Sequence, residues 1–171
     1  MGFIKSLKPK AKPQPQPLVD EAKQNEKKWG KSLMAAGWTA LPSIILEKQH
    51  ALGIDAVDLC IVMQIAKHWW KANELPFPSK ASLAAAAGVD ERTVQRHIAA
   101  MERAGLMQRI YRQREDGGHK SNEYKFDGLI AAATKFADEK LQAREAQKSE
   151  DRARKARKKP HLKPVPASDD E

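Results

Sequence analysis

The chain has 171 residues, with 31 Lys and Arg against 22 Asp and Glu, for a formal net charge of +9. That length suits one domain with a core drawn from about a hundred residues, and the basic balance favours polyanionic partners. The single cysteine, Cys60, excludes an internal disulfide and suits a reducing cytoplasm, and no run approaches the ~18 apolar residues of a membrane span.

Residues 1–37 hold eight lysines against three acidic residues. Within them, MGFIKSLKPKAKPQPQP (1–17) is lysine-rich and then alternates Gln with Pro, which favours an extended basic arm. Residues 18–35 predict a loose helix, because Leu18, Val19, Ala22, Trp29, Leu33 and Met34 make only a ragged stripe.

A domain over residues 38–127 is nearly neutral, with twelve basic against eleven acidic residues. Trp38–Pro42 reads as an extended entry, and Ser43 as the cap of a brief helix through Lys48. Asp55 opens a longer helix to about Trp70, with Asp58 in its first turn, where a carboxylate suits the dipole. Val57, Leu59, Ile61, Val62, Met63 and Ile65 make that helix apolar almost all round, as expected at the centre of a small domain. Cys60 and His68 are then core and near-core residues, while one ring of Trp69-Trp70 packs and the other is partly exposed. A proline-punctuated loop, Asn73–Pro78, follows.

Ser79–Ala104 carries the strongest signals. Ser79 can cap a helix that Gly88 ends, and Asp90 can cap a second that Gly105 stops. Val94, Ile98 and Met101 give the second helix a buried stripe, and the opposite face holds Arg92, Thr93, Gln95, Arg96 and Arg103. Ala84, Gly88 and Val94 stand where two crossed helices need a close approach, a tight turn and a packing contact, the geometry of a DNA-binding helix-turn-helix. Leu106–Arg112 and Asn122–Phe126 read as strands around a turn at Glu115–His119. This hairpin is expected to act as a wing, with Arg109, Arg112, Arg114 and Lys120 near the DNA backbone and its tip at Gly117–Lys120. All six arginines of the 38–127 segment fall between residues 92 and 114, with Glu102 the only acid among them. A single-signed face on a balanced domain is the footprint of a nucleic-acid binder.

Asp127 can cap a last helix, and residues 128–159 form its charged body, ended by Pro160. Leu129, Ile130, Ala133, Phe136, Ala137 and Leu141 lie along one side of its first half. This stripe fits either the same domain or a second copy in a homodimer. The run RARKARKK (152–159) reads as a solvated or DNA-tracking extension, and residues 160–171 as a disordered tail with an acidic end.

The motifs Pro76-Phe77-Pro78-Ser79, Leu83-Ala84, Gly88-Val89, Arg92-Thr93-Val94-Gln95-Arg96, Gly105-Leu106 and Ser121-Asn122-Glu123-Tyr124 together resemble the bacterial winged helix-turn-helix domains. Such domains occur in transcription regulators and in phage and plasmid replication proteins. The resemblance implies a mainly α fold with a small β-hairpin, double-stranded DNA as partner, and Arg92, Thr93, Gln95 and Arg96 facing it. It leaves open whether the chain regulates transcription or assists replication or partition by recruiting that machinery, since one fold serves many functions. A cytoplasmic, nucleoid-associated protein without cofactor is expected. His50, His68, His97, His119 and His161 show no metal-ligand spacing with Cys60 or each other, and no nucleophile–base arrangement supports an enzyme.

Overall fold

The computed structural model describes residues 18–113 and 120–156. The expected basic arm, Arg114 and the hairpin tip at 117–119, and the chain beyond Ala156 lie outside the described residues. The chain forms two units, Met1–Thr39 and Ala40–Glu171.

In the first unit the expected loose helix is two helices, α1 (Leu18–Trp29) and α2 (Lys31–Ala36). They divide at Gly30, whose φ of 86° is incompatible with continuing a right-handed helix. Trp29, Leu33 and Trp38 are exposed there.

The second unit runs α3 (Ser43–Glu47), α4 (Ala56–Ala66), α5 (Lys80–Ala87), α6 (Glu91–Arg103), β1 (Gln108–Ile110), β2 (Glu123–Lys125) and α7 (Asp127–Ala156). Ser43 is not a cap: Pro42 takes that position and no side chain bonds the free N–H groups of α3. Asp55 does cap α4, through a reciprocal box in which each of Asp55 and Asp58 accepts from the other's backbone N–H, at 2.8 and 3.1 Å. α4 stops at Ala66, four residues short of the expected end, and His68 beyond it is exposed rather than near-core. Trp69 packs with its ring 6.2 Å from that of Phe126, while Trp70 is exposed.

α4 supplies the middle of the core with Ile61, Val62 and Ile65. Leu83 and Ala84 of α5, Val94, Ile98 and Met101 of α6, and Leu106 and Met107 close around it. β1 and β2 pair antiparallel, with Arg109 opposite Tyr124, and the N–H of Lys120 reaches the Arg112 carbonyl at 3.2 Å. Tyr124 is fully buried, its N–H donates to the Pro76 carbonyl at 3.0 Å, and burial pushes its phenol above the ordinary value.

The start of α7 belongs to this core: Leu129 and Ala133 are buried in it, and Ala132 and Phe136 pack against the core as partly buried residues. The Leu129 N–H donates to the Leu106 carbonyl at 2.7 Å, and Gly128 lies directly on the Gly105 backbone. Ile130 and Leu141, two members of the expected stripe, are exposed. Lys140 of α7 pairs with Glu47 of α3, and this contact holds the Glu47 carboxyl below its usual range. No helix among the described residues is long and apolar enough to cross a membrane.

Candidate nucleic-acid interface

The site is assembled by two caps and one left-handed glycine. The Ser79 hydroxyl accepts from the Ser82 N–H at 3.0 Å and starts α5. Gly88, with φ 67°, ends it, and the Val89 N–H returns to the Ala84 carbonyl at 3.1 Å. Asp90 then starts α6, accepting from the Thr93 N–H and from the Thr93 hydroxyl, each at 2.8 Å. Three residues therefore turn the chain from one helix into the next. Val94, wholly buried, ties the turn to the core.

With Val94, Ile98 and Met101 inward, the helical period leaves Arg92, Gln95 and Arg96 as neighbours on the exposed side. Together with Asp90 and Thr93 they line a shallow depression of about 400 Å³. Among the described residues no ion pair involves Arg92 or Arg96, so both guanidinium groups face solvent with their donors free for a ligand. Arg103 is exposed further along α6, and its Nε donates to the Ala99 carbonyl at 3.3 Å. Thr93 is half-buried and its hydroxyl serves the cap, which sets it apart from the three free side chains.

The two bonds from Thr93, the backbone one first, hold the Asp90 carboxyl below the usual aspartate value of 3.8. A depressed folded pKa means that the cap is intact above the ordinary value and is lost as pH falls through the lower one. An NMR titration of Asp90 is expected to give a midpoint below 3.8, with the Thr93 amide signal moving in step. A midpoint at or above that value would remove the cap from the account.

Behind the exposed face, α6 is clamped to α4. His97 Nδ1 lies 2.8 Å from Asp58 Oδ1 and 3.6 Å from Asp55 Oδ2. These three residues could in principle hold a cation, since their ligand atoms lie within 4.8 Å of one another. Each carboxylate, however, already bonds a backbone N–H with its other oxygen, and the positive end of α4 opposes a cation there. The donor set is that of a clamp between helices. The clamp joins residues 39 apart in sequence, so no local spacing among the histidines and Cys60 points to it. The signal was the Asp55/Asp58 capping pair, which leaves one oxygen on each carboxylate to be satisfied from outside α4.

The hairpin arginines divide. Glu102 accepts from the Arg109 backbone N–H at 3.0 Å and from its guanidinium at 2.7 Å, and the Arg109 side chain is only 15% exposed. Arg112 Nε lies 3.3 Å from Glu123 Oε1, and its guanidinium stands 4.9 Å above the Phe77 ring. Against expectation, then, Arg109 is not part of the exposed basic face. A partly buried Glu102 at the end of α6 requires a cation, and β1 delivers Arg109 to it. Arg112 likewise bridges β1 to β2 and to the loop before α5. Lys120 is exposed on the returning side, and Arg114 lies outside the described residues. Removing Arg109 leaves Glu102 unpaired, so Arg109→Ala is expected to lower stability by roughly 1–3 kcal/mol, read by urea unfolding. Unchanged stability with weakened DNA binding would return Arg109 to the contact face.

Helices α5 and α6, crossed at a three-residue turn, have the arrangement of a helix-turn-helix, with α4 behind them and the β1–β2 pair after them. Residues 52–107 match the model of a family described as a helix-turn-helix domain, a span from the residues before α4 to the edge of β1. Comparison with curated protein sequences finds no match. Among solved structures, the chain is similar to a possible transcriptional regulator from Methanosarcina mazei Go1, at 18% identity over 64% of this chain and 85% of that one, with a TM-score of 0.40. It is also similar to the transcriptional regulator PA3341, at 20% identity over 72% of this chain and 77% of that one, with a TM-score of 0.36.

Proposed function

We propose that the chain binds double-stranded DNA through α6, recognises a particular base sequence, and regulates transcription by occupying its site. The observation that carries this reading is the trio Arg92, Gln95 and Arg96, exposed and adjacent on a helix whose other side is rooted in the core. An arginine can bond guanine O6 and N7 together, and a glutamine can do the same with adenine N6 and N7. Arg103 and Lys120 hold phosphates and set the register, as does Thr93 through its cap, which fixes where α6 begins. A protein held at one sequence near a promoter alters transcription by occupancy alone.

Selection of bound fragments from random duplex DNA in moderate salt tests the proposal. Recurrence of one short sequence is the expected result, and a pool that stays random after several rounds would refute it. Lys120→Ala is expected to weaken all sequences alike and to flatten the salt dependence of binding by about one unit, measured by titration over a salt series. A loss confined to the selected sequence would move Lys120 from phosphate to base contact.

A further inference from the structure

Beside the recognition helix, three aromatic rings stand in solvent: Trp70 is 74% exposed, Phe77 58% and Tyr111 73%. Two come from the loop between α4 and α5 and one follows β1. Trp70 and Phe77 share a depression of about 390 Å³, and Tyr111 lines a neighbouring groove of about 630 Å³ with Lys80, Lys120 and Asn122. Arg112 joins the two, since it forms part of the groove wall and its guanidinium covers the Phe77 ring at 4.9 Å. The groove also touches Glu91, the first residue of α6, so the strip begins where the duplex-reading helix begins. Among the described residues, the nearby acids Glu74 and Glu123 are paired, with Lys71 at 2.7 Å and with Arg112 at 3.3 Å, and Glu91 stands against Lys80 and Lys120.

Arg112 stands 4.9 Å from the Phe77 ring and Arg109 5.2 Å from that of Tyr111, yet all three rings keep most of their surface in solvent, and such a patch marks a surface that something else covers. Rings alternating with cations suit a ligand that has both flat π faces and negative charge. Duplex DNA keeps its base faces stacked inside and offers none to a side chain. An unpaired strand offers both, and aromatic platforms along a basic groove are how such strands are held. We infer that the Trp70–Phe77–Tyr111 strip binds single-stranded nucleic acid by stacking unpaired bases. It is a second binding activity beside the duplex reading of α6 and does not depend on it.

The test uses the full chain with a thymidylate oligonucleotide of about twenty nucleotides and an abasic strand of the same length, titrated by fluorescence anisotropy in moderate salt. The wild type is expected to prefer the thymidylate by roughly tenfold or more, since charge alone cannot separate the two. Trp70→Ala and Tyr111→Ala are each expected to cut thymidylate affinity about 5- to 100-fold and to leave abasic and duplex affinities within about twofold. Both side chains are exposed, and an unchanged circular dichroism spectrum establishes that the variants fold. Arg96→Ala should leave thymidylate binding intact, which separates failure here from failure of the duplex reading. Equal affinity for the two strands, unchanged thymidylate binding in both aromatic variants, or an equal loss on duplex would each overturn the inference.

Discussion

Gly128→Ala is expected to lower the thermal midpoint of the domain by roughly 5–15 °C, the consequence of about 1–3 kcal/mol of overpacking. A Cβ at residue 128 would lie 1.7 Å from the Gly105 carbonyl oxygen and 3.2 Å from the Leu106 Cα. Both obstacles are backbone, so no side chain can swing aside. Relief requires α7 to back away from the turn after α6, which breaks the 2.7 Å bond from the Leu129 N–H to the Leu106 carbonyl and loosens Leu129 and Ala133 in the core. Met101 and Leu106 sit on either side of that turn, so the end of α6 loosens with it. Melting followed by circular dichroism checks this, and an unchanged midpoint would mean that α7 does not seat against the turn.

The other large effect concerns affinity. Arg92→Ala and Arg96→Ala are each expected to weaken binding to the selected duplex by about 1–3 kcal/mol, or roughly 5- to 150-fold. Random duplex should lose far less, because only the phosphate part of a contact is common to all sequences. Neither side chain is buried or ion-paired among the described residues, so stability should stay within about 0.5 kcal/mol of the wild type. The combination of intact folding and a selective loss is what distinguishes these residues from Arg109, whose removal acts through the fold. Electrophoretic mobility shifts on the two duplexes, with unfolding curves beside them, provide both readings.

Most of the helix-turn-helix was legible because its signals are local. Ser79, Gly88, Asp90 and Gly105 each act within one turn of chain, and the Val94/Ile98/Met101 period needs only the geometry of a single helix. The exposed trio of Arg92, Gln95 and Arg96 follows from that same period. What could not be read depends on pairs distant in sequence or on the backbone itself. Nothing local to Arg109 says that Glu102 will claim it, and nothing local to His97 points to Asp58 in another helix. Gly128 looks like a poor helix residue until the Gly105 carbonyl is seen beneath it. Gly30 was the reverse case: its signal was local, yet a ragged apolar stripe running through it hid the break between α1 and α2. The end of α4 escaped for another reason. Apolar Trp69 and Trp70 continue the hydrophobic run, although the helix stops at Ala66 and only Trp69 turns inward.

The central claim, that α6 reads base edges with its exposed arginines, is tested most directly by repeating the duplex selection with Arg96→Ala and comparing its base preferences with those of the wild type. With Arg96→Ala the preference is expected to fade at one base position while neighbouring positions keep theirs. Identical preferences in the two proteins, or a uniform weakening that leaves every preference in place, would contradict it.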